Sequence, residues 1–207
     1  MSQGRFITFE GIDGSGKSTQ ARLLAQHLQD RGAKVVLTRE PGGSPGAEDI
    51  RALVLEGDPD KWSAETELLL FTAARRDHLE KTIDPALRAG KIVISDRFAD
   101  STRLYQGITR GDLRAKVDTL HEMMIGREPD TTFIIDMDPD VGLERALSRQ
   151  TSEERFEGFG VDLQRKMRDG FLKLAEEFSN RCIVIDGARA VEDVAVDVAA
   201  KADALLA

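Results

Sequence analysis

Cysteine and histidine are scarce in this sequence, which has one cysteine and three histidines among its 207 residues. A structural zinc site usually takes four closely spaced Cys or His ligands, so the scattered His27, His78 and His121 exclude a site of the usual kind. Cys182 lies in the apolar stretch CIVID, and we interpret it as a thiol packed in a buried strand. A single packed thiol fits the cytoplasm, where disulfides are rare.

Long apolar runs are also missing. No segment approaches the roughly 18 unbroken apolar residues of a membrane span, and the N-terminal MSQGRFITFEG lacks the basic and apolar segments of a signal peptide. We therefore expect no membrane contact and a cytoplasmic location. The net charge of −8 argues against a nonspecific nucleic-acid-binding protein. With 41% hydrophobic and 32% charged residues, we expect one globular domain over residues 1–207.

Five short apolar runs predict the strands of a parallel sheet. They are RFITF (5–9), KVVLT (34–38), KIVIS (91–95), TTFIID (131–136) and CIVID (182–186). Continuous Val, Ile and Phe runs suit strands that are buried on both faces. Helical patterns separate them, including residues 17–31 before Gly32, a helix capped by Ser63 and another capped by Asp138. The alternation predicts an α/β fold with a doubly wound, five-stranded parallel sheet and helices on both faces.

Glycine and polar residues concentrate after the predicted strands, in EGIDGSG, REPGGSPG, DRFADS and QTSEERFEGFG. In an open parallel sheet the ligand binds outside the carboxyl ends of the strands. We therefore expect these four loops to form the functional site.

The stretch GIDGSGKST, residues 11–19, matches the phosphate-binding pattern G-x-x-x-x-G-K-[ST]. A predicted strand precedes it and a predicted helix follows, as the pattern requires. Its backbone N–H groups and the helix N-terminus suit a β-phosphate. Lys17 is expected to bridge the β- and γ-phosphates, and the Ser18 hydroxyl to bind Mg²⁺. The predicted nucleotide-binding residues are Gly11, Ile12, Asp13, Gly14, Ser15, Gly16, Lys17, Ser18 and Thr19.

Two carboxylates end predicted strands close to this site. Asp96 follows the third strand, where a P-loop protein places the carboxylate that holds Mg²⁺, and Asp136 is a weaker candidate after the fourth. A GTPase would need an Asn-Lys-x-Asp stretch to recognise guanine. The one asparagine, Asn180, is followed by arginine, which argues against that class.

Five stretches together resemble the thymidylate kinase family. FEGIDGSGKST, TREPGG, LLLFTAARRDHL, DRFADSTRLYQG and the arginine-bearing segment 145–155 occur in the order and at roughly the spacing seen in that family. TREPGG and DRFADSTRLYQG are highly specific in combination, and the resemblance covers almost the whole chain. It implies the P-loop nucleoside monophosphate kinase fold, ATP as phosphoryl donor, dTMP as acceptor and Mg²⁺ as cofactor.

The resemblance also implies an acceptor site. Arg39 and Arg97 match the arginines that hold the monophosphate, whose planar guanidinium groups suit phosphate oxygens. Phe71 matches the ring that stacks on thymine, and Arg75, on the same helix face, matches the side chain that bonds the base's O4. Thr102 matches the residue that contacts the base edge, and the neighbouring Ser101 is expected to support it. Tyr105 matches the aromatic ring that packs under the sugar, and Asp13 matches the carboxylate that meets the 3′-hydroxyl.

A lid is implied over about 145–160. Some family members carry an arginine within the P-loop, whereas this chain has Gly14 there and offers Arg145, Arg149 and Arg155 in the lid segment. The resemblance implies that Arg149 and Arg155 contact the transferring phosphoryl group, with Arg145 more ambiguous. Closure of the lid would keep water from the γ-phosphoryl group.

Other functions stay open from the residues alone. One is another small P-loop kinase, acting on a deoxynucleoside or a different nucleoside monophosphate, and another is a nucleotide-binding switch without turnover. A deoxynucleoside kinase must activate a neutral hydroxyl, and Glu10 or Glu40 could supply the base. A phosphate acceptor needs none, because its second pKa lies near about 6. Apolar residues nearly encircle the helix that contains ELLLFTAARR for two turns, which predicts burial on two sides, either within one chain or in a homodimer.

Overall fold

The strands of the sheet coincide with the five apolar runs. The computed structural model describes residues 4–58, 61–107, 111–148 and 160–206. The strands are β1 (Arg5–Glu10), β2 (Val35–Arg39), β3 (Ile92–Asp96), β4 (Thr131–Asp136) and β5 (Cys182–Asp186). They are all parallel, in the order β2-β3-β1-β4-β5. The predicted five-stranded parallel sheet is confirmed.

The strand order places the loops that follow β1 and β3 at one crevice. From β1 the chain crosses to the edge strand β2, returns to β3, and then continues on the other side of β1 with β4 and β5. The order therefore changes direction at β1, and a crevice opens outside the carboxyl ends of β1 and its neighbours. Phe9 of β1 is in register with Asp96 of β3 and with Phe133 of β4.

Helices connect the strands. They are α1 (Lys17–Asp30), α2 (Pro45–Leu55), α3 (Ala64–His78), α4 (Asp84–Arg88), α5 (Ala99–Tyr105), α6 (Arg114–Met124), α7 (Pro139–Leu147), α8 (Gly160–Glu177) and α9 (Val191–Leu206). A π-helical turn, Leu79–Ile83, joins α3 to α4. The caps predicted from the sequence are present: the Ser63 hydroxyl accepts from Thr66 N, and the Asp138 carboxylate accepts from Asp140 N and Val141 N.

Apolar side chains cover both faces of the sheet. On one face, Ile7 and Phe133 pack with Leu24 of α1 and Val198 of α9. On the other face one cluster contains residues of α5, α8 and β4, and another contains residues of α4, β3 and the π-helical turn. Helices thus lie on both faces, as predicted. Across the described ranges, no helix has the length and apolarity to cross a membrane.

Candidate active site

The loop between β1 and α1 curves tightly because its glycines adopt conformations that other residues disfavour. Gly14 has a φ of +77°, and a Cβ there would lie 1.9 Å from the carbonyl oxygen of Gly142 in α7. The loop is therefore packed directly against α7, and a side chain at position 14 is sterically excluded. Helix α1 begins at Lys17, so its free N–H groups point into the loop, as in other phosphate-binding loops.

Lys17 lies buried over this loop. Its Nζ donates to the carbonyl oxygen of Ile12 at 2.8 Å and lies 3.7 Å from Asp13 Oδ1. Burial, with the charge of Arg97 nearby, lowers the pKa of Lys17 to about 8. A polyphosphate at the loop would favour the charged form, so Lys17 has the position and charge to neutralise a bound triphosphate.

Ser18 and Asp96, which were predicted to hold Mg²⁺, have surroundings that suit metal ligands. Ser18 is exposed in the first turn of α1, and Asp96 ends β3 beside β1. Asp96 Oδ1 is buried without a hydrogen-bond partner among the described residues, which suits a cation ligand. Within those ranges no group of three or more His, Cys, Asp or Glu side chains could hold a metal. A site of one hydroxyl and one carboxylate is typical of Mg²⁺, which takes its other ligands from phosphate and water.

A cavity next to the loop brings together seven of the eight residues predicted for the acceptor. It is lined by Asp13, Phe71, Arg75, Arg97, Ser101, Thr102 and Tyr105, together with Glu40, Pro41, Arg51, Leu55, Phe98 and Gln106. These residues come from the loops after β1, β2 and β3 and from α2, α3 and α5. The polar groups divide into two ends, one beside the phosphate-binding loop and one beside α3.

The end beside the phosphate-binding loop is centred on Asp13. Arg97 donates to Asp13, to the carbonyl oxygen of Gly11 at 3.2 Å and to Ser101 Oγ at 2.8 Å, and the Tyr105 hydroxyl donates to Asp13 Oδ2 at 3.0 Å. Burial would raise the pKa of Asp13, but Arg97 and Lys17 outweigh it and lower the pKa to about 2. Asp13 therefore stays ionised and connects the phosphate-binding loop to the cavity.

Glu10, which the sequence offered only as a candidate base, fixes the turn that carries Arg97. Its carboxylate accepts from Phe98 N at 2.8 Å, from Ser101 N at 3.1 Å and from Ser101 Oγ at 2.6 Å. Burial raises its pKa to about 7. Arg97 has a φ of +70°, an uncommon conformation for a residue with a side chain, and these bonds hold the turn in place.

The opposite end of the cavity is formed around Arg75. Its Nε donates to Glu40 Oε2 at 2.7 Å, and its Nη2 donates to Thr102 Oγ1 at 3.0 Å and to the carbonyl oxygen of Phe98 at 3.1 Å. Phe71, one turn earlier in α3, lines the same space. A planar apolar surface therefore lies next to a fixed hydrogen-bond donor, an arrangement that suits a nucleobase.

Arg39 is the predicted acceptor residue that the structure does not bring to the cavity. Its side chain is 53% exposed, and its Nη2 lies 3.1 Å from Glu48 Oε2 in the first turn of α2. Arg51 of α2 lines the cavity instead and donates to the carbonyl oxygen of Pro41. Helix α2, and with it Arg51, was not predicted from the sequence, although Pro45 after Ser44 is a recognisable helix start.

Asp136 and Arg145 are not among the residues that line the cavity. Asp136, the weaker metal candidate, is held by Arg168 of α8 through two hydrogen bonds of 2.6 and 2.8 Å. Arg145 is exposed on α7. Arg149 and Arg155, predicted to contact the transferring phosphoryl group, lie outside the described residues.

Comparisons with known proteins show which family the sequence resembles over nearly its full length. The model of the family described as thymidylate kinase matches residues 9–198. The chain is similar to the thymidylate kinase of Ruegeria pomeroyi, with 71% identity over 94% of this chain and 92% of the relative. It is also similar to that of Dinoroseobacter shibae, with 68% identity over 95% of each.

A solved structure has the same fold. The crystal structure of thymidylate kinase from Ehrlichia chaffeensis superposes with a TM-score of 0.79 at 38% sequence identity, covering 97% of this chain and 99% of that one. The chain thus combines sequence similarity over nearly its full length with a crevice at β1, a phosphate-binding loop and an adjacent cavity. The chain belongs to the thymidylate kinase family.

Proposed function

We infer that this chain transfers the γ-phosphoryl group of ATP to dTMP, giving ADP and dTDP, with Mg²⁺ as cofactor. The observation that carries this inference is the position of Asp13 between Lys17 of the phosphate-binding loop and Arg97 of the cavity. One carboxylate in contact with both cations supports a donor site and an acceptor site next to each other. Residues 1–207 act as one kinase domain, whose lid is the segment of about 145–160.

ATP binds through residues 11–19, with its β- and γ-phosphates at the start of α1. Lys17 bridges these phosphates. Ser18 and Asp96 would hold Mg²⁺, which would neutralise negative charge on the bound triphosphate. The buried, unpartnered Oδ1 of Asp96 supports this assignment.

In the acceptor cavity, the dTMP phosphate lies against Arg97, with Arg51 in place of the predicted Arg39. The thymine base stacks on Phe71 and accepts at O4 from Arg75, with Thr102 at the base edge and Ser101 supporting Arg97. Tyr105 packs under the sugar, and Asp13 accepts from the 3′-hydroxyl. The grouping of these side chains in one cavity supports these roles.

The chemistry rests on position and charge. The acceptor is already anionic at neutral pH, so no protein base is needed. The main barrier is the approach of two polyanions in line, which Lys17, Arg97 and the lid residues Arg149 and Arg155 lower by neutralising charge. Lid closure excludes water, which would otherwise accept the phosphoryl group.

The contacts of Glu10 and Glu40 argue against the alternative of a deoxynucleoside kinase. Glu10 accepts three hydrogen bonds from the turn into α5, and Glu40 is paired with Arg75 and His78. Burial would raise the pKa of Glu40, but Arg75 and His78 outweigh it and lower that pKa. Both carboxylates therefore have structural partners, and neither is available as a base for a neutral hydroxyl.

We further propose a homodimer through the face formed by α3 and α6. Leu69 is 57% exposed and Met123 is 73% exposed on this face, and a shallow groove between the helices is lined mainly by Leu68, Leu69, Ala115 and Leu120. Lys116 and Glu65 lie 3.1 Å apart at its edge. An apolar face bordered by one charge of each sign suits a second copy of itself. Sedimentation of the wild type and of Leu69→Glu tests this, with a dimer expected only for the wild type.

A substrate panel tests the proposed function. ADP release is measured with ATP and Mg²⁺ in the presence of dTMP, dUMP, dCMP or thymidine. We expect efficient turnover with dTMP and none with thymidine, because thymidine lacks the anionic acceptor oxygen. Preferred turnover of thymidine would establish a deoxynucleoside kinase, and ATP binding without ADP release on any acceptor would establish a binding protein.

A further inference from the structure

A buried polar chain connects β2 with α3 behind the base-binding end of the cavity. Glu40 accepts from Arg75 Nε through Oε2 at 2.7 Å, and its Oε1 lies 3.0 Å from His78 Nδ1. The other nitrogen of the ring, His78 Nε2, lies 2.7 Å from Thr38 Oγ1. His78 is fully buried, and the Glu40 side chain is 4% exposed. Three consecutive hydrogen bonds therefore run from Thr38 to the guanidinium group of Arg75.

The ionised carboxylate gives this chain a direction. Burial would raise the pKa of Glu40, but Arg75 and His78 outweigh it and lower the pKa, so the carboxylate is ionised and only accepts. Nδ1 of His78 is therefore a donor. Nε2 pairs with the Thr38 hydroxyl, which can donate to a neutral ring or accept from a protonated one. Each group satisfies the next, as a buried polar network must.

The loop after β2 is shaped around this chain. Gly43 has a φ of +86°, and a Cβ there would lie 2.4 Å from both His78 Nε2 and Thr38 Oγ1. The carbonyl oxygen of Gly43 accepts from Thr82 Oγ1 at 2.7 Å. Thr38, Glu40 and Gly43 all belong to the TREPGG stretch, so this motif converges on the histidine of a second motif, LLLFTAARRDHL. None of the roles assigned above accounts for His78.

The chain determines where Arg75 can point. Arg75 has five N–H donors, of which Nε binds Glu40 and Nη2 binds Thr102 and Phe98. Between described residues, Nη1 makes no hydrogen bond, while Arg75 lines the cavity. Turning the planar guanidinium group would break three bonds at once. As long as Glu40 is held, the Nη1 hydrogens remain available to a ligand in the cavity.

We propose that His78, supported by Thr38, is a positioning residue that holds Glu40 and thereby aims Arg75 Nη1 at the carbonyl oxygen of the acceptor base. The proposal rests on the proposed function, because it assumes that the nucleobase lies at Arg75. His78 itself does not touch the nucleotide. Its loss should therefore change base recognition while leaving the ATP site and the phosphate end of the cavity intact.

The test compares His78→Leu, which removes both polar contacts at similar volume, with His78→Asn, whose amide nitrogen replaces Nδ1 as the donor to Glu40. Thr38→Val removes the last bond, and Thr38→Ser retains it. His121→Leu is the matched control, because His121 of α6 is also buried but faces Glu128. For each variant we would measure KM for dTMP and for ATP, kcat/KM for dTMP relative to dCMP, and the melting temperature.

We expect His78→Leu to raise KM for dTMP by about tenfold, the scale of losing a charge-assisted hydrogen bond, and to reduce the preference for dTMP over dCMP. KM for ATP should not change. His78→Asn should recover most of the preference, Thr38→Val should show a smaller loss than His78→Leu, and Thr38→Ser should resemble the wild type. His121→Leu should lower the melting temperature without changing the preference.

Two results would overturn the proposal. One is an unchanged dTMP-to-dCMP preference in His78→Leu despite a lower melting temperature, which would mean that His78 only packs. The other is equal behaviour of His78→Leu and His78→Asn. Arg75→Ala, assayed in parallel, distinguishes an error in the proposed base site from an error in the positioning role of His78. If Arg75→Ala retains the preference, the base site of the proposed function is wrong; if only His78→Leu retains it, the positioning role alone fails.

Discussion

The phosphate-binding loop and the acceptor cavity are adjacent, but backbone atoms form the loop whereas side chains form the cavity. The loop is mostly backbone, and side chains are excluded at Gly14, where Gly142 of α7 approaches, and at Gly11, where the carbonyl oxygen of Ile135 approaches. The cavity consists of side chains, and its two main arginines are held by carboxylates from distant elements. Arg97 binds Asp13, and Arg75 binds Glu40. A backbone site needs only a local sequence, whereas a side-chain site needs the whole sheet to assemble.

The two regions also differ in how their cations respond to pH. Lys17 in the loop has a pKa lowered to about 8 by burial and by Arg97. The guanidinium groups of the cavity cannot lose a proton in the accessible range. We therefore expect a rise in pH that deprotonates Lys17 to weaken ATP binding and to leave dTMP binding unchanged.

The largest expected effect is that of Lys17→Ala on turnover. Loss of a cation at the transferring phosphoryl group should reduce kcat by about a thousandfold or more, because charge stabilisation dominates this reaction. KM for dTMP should change little, since Lys17 belongs to the donor side. Steady-state kinetics with circular dichroism as a check on folding measure this. A kcat near that of the wild type would remove Lys17 from the proposed mechanism.

Arg97→Ala should have the next largest effect, on the acceptor side. We expect kcat/KM for dTMP to fall by about a hundredfold to a thousandfold, because the phosphate loses its oriented charge. Arg97→Lys should recover only part of this, since an ammonium group cannot reproduce the planar fork. ATP binding is the control and should persist. Near-normal phosphorylation of dTMP by Arg97→Ala would show that the acceptor site is wrongly assigned.

Raising the pH should weaken ATP binding but not dTMP binding. The folded pKa of Lys17, about 8, lies below that of free lysine, so the attractive charge is present below pH 8 and is lost as the pH rises through it. Calorimetric titration from pH 7.5 to about 9.5 should show the Kd for ATP rising by about tenfold. The Kd for dTMP should stay within about twofold. Equal weakening of ATP binding and dTMP binding would contradict the expected difference in pH response between the loop and the cavity.

The smallest expected effect is a difference in KM for dTMP between variants of Arg51 in α2 and of Arg39 at the end of β2. Arg51 lines the cavity, whereas Arg39 is paired with Glu48 at the surface. Arg51→Ala should raise KM for dTMP several-fold, up to about tenfold, as expected for a lost contact to a phosphate. Arg39→Ala should change KM by less than about twofold, in line with the small energies of exposed ion pairs. The reverse order would restore Arg39 to the phosphate-binding role predicted from the sequence.

The fold could be predicted because its signals are local. The five apolar runs match the strands within one residue, and α1 ends just before Gly32, which has a φ of +84°. Helix α2 was missed because its start, PGGSPGAED, is rich in the glycine and proline of loops. The unpredicted π-helical turn Leu79–Ile83 follows α3 without a break in the chain's apolar pattern.

The residues of the candidate site could be predicted only where they lie within one recognisable sequence motif. The phosphate-binding pattern identifies Lys17 and Ser18 directly, whereas the resemblance was needed to associate Phe71 with Thr102, 31 residues away. The partners of these side chains were not foreseen. Glu10 and Glu40 lie at the ends of β1 and β2, and their contacts depend on how α3 and α5 pack over the sheet. Long-range packing of this kind leaves no pattern in a single sequence.

A crystal structure with dTMP bound is the most direct test of the central claim, that one cavity holds the acceptor with its phosphate facing the phosphate-binding loop. We predict the thymine ring against Phe71, O4 within hydrogen-bonding distance of Arg75 Nη1, and the phosphate on Arg97. Binding of dTMP outside this cavity would contradict the account. Binding in the reversed orientation, with the phosphate at Arg75 and the base at Arg97, would contradict it equally.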